Sequence, residues 1–198
     1  IFEGEKAGVS SIFSGMIGNG TTSIPKDVFN EEVDFLGASL NIGSQSAGFN
    51  TLSKYFPRVL ELMADAIKNP LLTQEEFEKQ QAQLIEGIKS NENNVGAIAS
   101  QVQNALVYGK NHPYGEFGTV KAAEGISLED VKSFYSNYFI PNNAYLVLLG
   151  DVKLKDAKKL VKKHFSKWEK GTLPAYNIPR VDNVAKTEIN FVDMPNAV

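Results

Sequence analysis

"GVSSIFSGMIGNGT", residues 8–21, is the stretch from which the rest of the chain is read. It is apolar and rich in small residues, it ends on glycine and threonine, and it holds no charge. A short helix is expected over residues 10–17, broken by "GNGTTSIP" (18–25), whose Gly, Asn and Pro are turn formers. The glycines of "GMIGNG" (15–20) lack the lysine and Ser/Thr of a phosphate-binding loop and follow a helix instead of a strand. Tight turning is their simpler explanation.

Working outward, residues 26–35 follow helical spacing through Val28, Phe29, Val33 and Phe35 or Leu36, with Gly37 as the stop. "ASLNIGSQSAGFNTLS" (38–53) alternates loosely, as the strands of a hairpin do. Pro57 opens a helix that presents Val59, Leu60, Met63 and Ile67 on one face and ends at Asn69-Pro70. Two further helices are expected, over 75–90 on Phe77, Leu84, Ile85 and Ile88, and over 95–106 on Val95, Ile98, Val102, Ala105 and Leu106. "YGKNHPYGEFG" (108–118) is a loop, and Ser127 with Asp130 forms a capping-box pattern before the next helix. "AYLVLLGD" (144–151) is the clearest buried strand. Residues 155–168 form a helix with Ala157, Leu160, Val161, His164, Phe165 and Trp168 inward, and "TEINFVD" (187–193) is a closing strand. Together these predict an α+β domain, an antiparallel-rich sheet with helices packed on one side.

The totals exclude more than they assign. The 198 residues suffice for a substantial core, and 42% hydrophobic with 22% charged is ordinary for a globular chain. A net charge of −3 gives no basic face for nucleic acid, and the lysines of 153–170 are a solvated helix face. With no cysteine, disulfides, thiolate zinc sites and thiol nucleophiles are out. No apolar run reaches the roughly 20 residues of a membrane span. Ile1 in place of methionine suggests a trimmed or processed chain. The two histidines, His112 and His164, are far apart in sequence, so no local two-histidine zinc motif exists. His164 is expected to pack or cap, and His112 to be a turn residue. Acidic clusters occur at 30–34, 74–78 and 124–130, no pair of them is placed across a cleft, and those near helix starts are favoured by the dipole.

Five segments, "GVSSIFSGMIGNGT", "FLGASLNIGSQSAGFNTLS", "VLELMADAIKNPLLTQEEFEKQQAQLIEGIKSNENN", "NHPYGEFGT" and "ISLEDVKSFYSNYFIPNNAYLVLLGDV", occur in the order seen in the amino-terminal domain of M16 zinc peptidases. The chain resembles that family across about residues 4–170. The resemblance implies an M16/LuxS-like metallohydrolase fold, with residues 1–198 as one domain lacking its first strands. Residues 170–198 would then be a linker and the start of a second homologous half.

Active members of such a family carry H-x-x-E-H, where two imidazoles hold zinc and the glutamate takes a proton from the metal-bound water. By this resemblance the matching positions are Ser11, Ser14 and Gly15. The later glutamate ligand falls on Gly87, and an acid seven residues earlier falls on Gln80. Glu86 is one position away, turned about 100° on a helix. The implied chain is a non-catalytic subunit that binds no cofactor itself, with zinc expected only in an active M16 partner. It would form the chamber wall and help hold extended peptide at an edge strand near Asn41, Ile42, Gly43 and Ser44, in the bacterial periplasm or else the cytoplasm. Two alternatives stand beside it: an active peptidase with unusual ligands such as His112, and a purely structural dimerisation domain.

Overall fold

A computed structural model of the chain describes residues 1–175 and 177–194. Among these the architecture is helix-rich with one small sheet. Helix α1 (Val9–Met16) buries Val9, Ile12, Phe13 and Met16. Helix α2 (Lys26–Phe35) follows, and Gly37, at φ +57, supplies the left-handed residue that stops it. Of its expected apolar face Phe29, Val33 and Leu36 are buried, while Val28 and Phe35 face solvent.

The hairpin forms where expected, from β1 (Ser39–Ile42) and β2 (Ala47–Asn50), antiparallel, with Ser39 opposite Asn50 and Ile42 opposite Ala47. Helix α3 (Phe56–Lys68) is apolar on two faces and is the centre of the molecule. Val59, Leu62 and Ala66 pack with α2 and the hairpin, and Phe56, Leu60, Met63 and Ile67 pack toward α8 (Leu154–Phe165).

Helix α4 (Gln74–Asn91) starts on a Thr73 cap and α5 (Val95–Tyr108) on an Asn94 cap, each side-chain oxygen accepting an otherwise orphaned backbone N–H. Only Phe77 of α4 is fully buried and none of α5 is, so these two helices are less enclosed than their patterns suggest. A short α6 (Val120–Glu124) leads to α7 (Leu128–Tyr138), which opens on the expected Ser127–Asp130 capping box. Helix α1 is sandwiched between α4 and α7, and the Phe13 ring meets those of Phe134, Tyr135 and Phe139 at 5.3, 6.1 and 4.9 Å.

Both isolated strand expectations fail. Residues 144–151 form no strand among the described residues, and Tyr145 and Leu149 are fully exposed. Residues 187–193 likewise form no strand, with Ile189 and Phe191 in solvent. An apolar run or alternation specifies surface to be buried, but a strand also needs a neighbour to take its N–H and C=O groups. No ladder joins either one to another described segment, although residues 146–149 line a cavity with β2, so the sheet is confined to β1 and β2. Helix α8 also ends at Phe165, short of the expected Trp168, whose ring still packs on Phe165 at 6.0 Å. Tyr176 and residues 195–198, within the expected connecting segment, lie outside the described residues.

Candidate functional site

Ser14, Gly15, Gln80 and Ser44 come together where α1 passes between α4 and the hairpin turn, while Ser11 and Gly87 stand apart. Ser11 is exposed on α1 and lines a cleft of about 710 Å³ with Ser10, Leu84, Ile88, Gln101 and Glu116. Two of its three acidic residues, Glu3 and Glu116, are already engaged. The Glu3 carboxylate accepts the Gly8 and Ser10 amides at the start of α1 at 2.6 and 3.2 Å, and the Glu116 carboxylate accepts the Glu3 and Gly4 amides at 2.8–3.0 Å. Neither capping carboxylate was legible from sequence, since each acts on a backbone far away or on a turn without a motif.

One turn along α1, Ser14 and Gly15 face different neighbours. The Ser14 hydroxyl accepts the Ser44 backbone N–H at 2.8 Å, tying the hairpin turn to the helix. This joins a zinc-motif position to the expected edge strand, and no local pattern announces it. A Cβ added at Gly15 would overlap the Gln80 amide, so the Gln80 side chain already fills that space. Gln80 donates to Glu76 at 2.9 Å, and Glu76 receives Lys26 at 3.1 Å. Burial pushes the Glu76 carboxyl up, but the Gln80 amide and the Lys26 ammonium outweigh it and hold it below its ordinary value.

Gly87 lies two helical turns beyond Gln80, roughly 10 Å along α4. It is exposed, with open space where a side chain would start. Glu86 is exposed and pairs with Lys89 at 3.5 Å.

The histidines occupy separate surroundings. His112 is buried, stacked on Tyr108 at 5.1 Å, and its Nδ1 accepts the Tyr114 amide at 3.0 Å, so it serves its own turn. His164 is half-buried beside Arg58, Glu61, Asp65 and Lys68. Burial and the neighbouring Lys163 charge push its pKa below the ordinary imidazole value. Among the described residues no three His, Asp or Glu side chains converge as a metal ion requires, and no helix is long and apolar enough to cross a membrane.

The profile described as Insulinase (Peptidase family M16) matches residues 1–113, more than half of the 198. The chain belongs to peptidase family M16. A second profile, Peptidase M16 inactive domain, matches residues 125–196. This M16 chain is 25% identical over 173 residues to an uncharacterized zinc protease of Rickettsia felis, covering 84% of the chain and 42% of that protein. It is 22% identical over 158 residues to the non-peptidase homolog YmxG of Helicobacter pylori, covering 77% and 36%. The crystal structure of a peptidase M16 inactive domain from Pseudomonas fluorescens shares its fold with a TM-score of 0.78 at 22% identity, over 91% of this chain and 45% of that one. The M16 chain thus spans about two fifths of the length of the curated relatives it matches.

Proposed function

We propose that this chain is a non-catalytic member of an M16 peptidase assembly, a chamber wall that holds extended peptide for an active, zinc-bearing partner. The observation that carries the reading is the Gln80 amide packed against Gly15, in the space where a metal-binding imidazole would begin. The donor set does not fit zinc. Ser11 and Ser14 offer neutral hydroxyls, Gly15 and Gly87 offer no side chain, and Gln80 is spent on Glu76. Zinc sites draw roughly 10 kcal/mol or more from imidazole, thiolate and carboxylate bonds, and none of those ligands stands at these positions. The likeness to YmxG, named as a non-peptidase homolog, is compatible with this reading.

Peptide capture would use backbone hydrogen bonds at a sheet edge, a mode that survives loss of catalytic side chains. A two-stranded sheet leaves one edge of each strand unpaired. Within residues 41–44 the amides of Gly43 and Ser44 already donate, to Ser46 O at 2.9 Å and to Ser14. Asn41, opposite Gly48 and two residues from the bonded Gly43, turns its N–H into the ladder with β2, so Ile42 is the amide donor to test. The fragment reading of residues 1–198 as one M16-like domain, with 170–198 connecting to a second half, belongs to the same proposal.

The test uses the full-length protein, alone and mixed with an M16 subunit that carries H-x-x-E-H. We expect no stoichiometric zinc by atomic emission, no peptide cleavage alone, and cleavage supported in the mixture. Stoichiometric zinc, or cleavage by the chain alone, refutes the reading. Ile42→Pro should weaken capture of an unfolded polypeptide, and unchanged affinity removes the edge-strand part. The use of His112 as an atypical ligand has little support, because its Nδ1 is taken and its ring is buried between tyrosines.

A further inference from the structure

The hairpin turn rests on α1 through three close approaches. Ser44 N–H donates to the Ser14 hydroxyl at 2.8 Å. A Cβ at Gly43 would stand 3.5 Å from that same oxygen, so the turn backbone lies directly over Ser14. Just past α1, Gly18 holds φ +82, and a Cβ there would come within 3.1 Å of the Ile42 Cβ. A left-handed backbone at van der Waals contact with β1 is a position for glycine. Ser14 and Ser44 are both half-buried, so the hydrogen bond between them is partly shielded from competition by water.

From this geometry we infer that Ser14 is a positioning residue, whose hydroxyl latches the hairpin turn to α1 and so sets the orientation of the Asn41–Ile42 edge. This rests on the peptide-capture reading above. The Ser14 oxygen is well placed for the role because it sits on a helix whose Ile12, Phe13 and Met16 are at most 1% exposed, and such a helix does not shift to follow a loop. The hairpin, by contrast, is a lone two-stranded ladder, marginal by itself and dependent on what it leans against. Its turn is a four-residue connection, residues 43–46, closed by the Gly43 to Ser46 hydrogen bond. The latch is the one side-chain hydrogen bond described from that turn to α1. Without it the Ser44 amide turns to water and the edge loses its fixed angle.

The experiment compares the full-length wild type with Ser14→Ala and Ser14→Thr. Two quantities are read: amide hydrogen exchange at Ser44, and affinity for reduced, carboxymethylated α-lactalbumin as a permanently unfolded polypeptide. Ser14→Ala should raise exchange at Ser44 about tenfold and weaken polypeptide binding about fivefold, the scale of one ordinary hydrogen bond. Ser14→Thr, which keeps the hydroxyl, should restore both. Exchange unchanged in Ser14→Ala overturns the latch. Faster exchange with unchanged affinity overturns the positioning role alone. A wild type that binds no unfolded polypeptide overturns the capture reading and this role with it.

Discussion

A double-mutant cycle on Gly15 and Gln80 tests the packing that separates this chain from a metal-binding one. Alanine in place of a helical glycine ordinarily stabilises by about 0.5–1 kcal/mol, and Gly15 has no positive φ to oppose it. Here the new methyl group meets the Gln80 amide, which must swing out and give up its 2.9 Å bond to Glu76. That loss is about 1 kcal/mol. The two terms nearly cancel, so Gly15→Ala should lie within about 0.5 kcal/mol of the wild type. Gln80→Ala alone should cost about 1 kcal/mol for the same bond. In that background the obstacle is gone, and Gly15→Ala should recover its full helical gain. The coupling is therefore about 1 kcal/mol, well above the few tenths seen for independent sites. Urea unfolding of the four proteins, with a shared slope, measures it. Additive effects would refute the claim that Gln80 fills the residue-15 space. If the coupling is found, a histidine at position 15 needs the same displacement, and restoring imidazoles without replacing Gln80 cannot rebuild the site.

Phe13→Ala should cost about 3–5 kcal/mol, since the ring is fully buried among Phe134, Tyr135 and Phe139; a loss under 2 kcal/mol by urea unfolding would contradict the described core. Glu32 is held below its ordinary value by the Arg58 guanidinium, which bonds both its oxygens at 2.6 and 2.8 Å. Its contribution is present above the ordinary carboxylate range and lost as pH falls through the lower folded value, so Glu32→Gln should flatten the acid side of the stability profile. That flattening should be modest and weaken in salt, because the pair is partly exposed. Burial pushes the Tyr135 phenol up to about 12, and its hydroxyl donates to Lys68 O at 2.7 Å. A raised phenol stabilises below its unfolded pKa and loses that contribution as pH climbs toward the folded value. Alkaline unfolding should therefore be shallower in Tyr135→Phe, as absorbance titration against stability would show.

Local rules were legible along much of the chain. The hairpin, the Gly37 stop, the Ser127 capping box and α3 followed from alternation, turn chemistry and helical spacing, since each is settled within a few residues. The strands expected over 144–151 and 187–193 fail for the complementary reason. The first is a continuous apolar run and the second alternates, both strand-like, yet pairing depends on a neighbour that no local pattern supplies. The candidate site divides in the same way. Which residue types stand at positions 11, 14, 15, 80 and 87 is a matter of sequence, and so is their lack of imidazole, thiolate and carboxylate.

That Gln80 fills the space beside Gly15, that Ser14 holds the turn at Ser44, and that Glu3 and Glu116 are consumed in capping α1 and the chain before it became visible only with the chain folded. Helix α1 is covered by α4 from 60 residues downstream and by α7 from further still, and such contacts depend on how whole elements dock. Sequence fixes what each side chain is able to offer as donor, acceptor or apolar surface. Tertiary packing selects which of those offers is taken up, because a hydrogen bond or a filled cavity exists only at distances that the docking of entire helices sets.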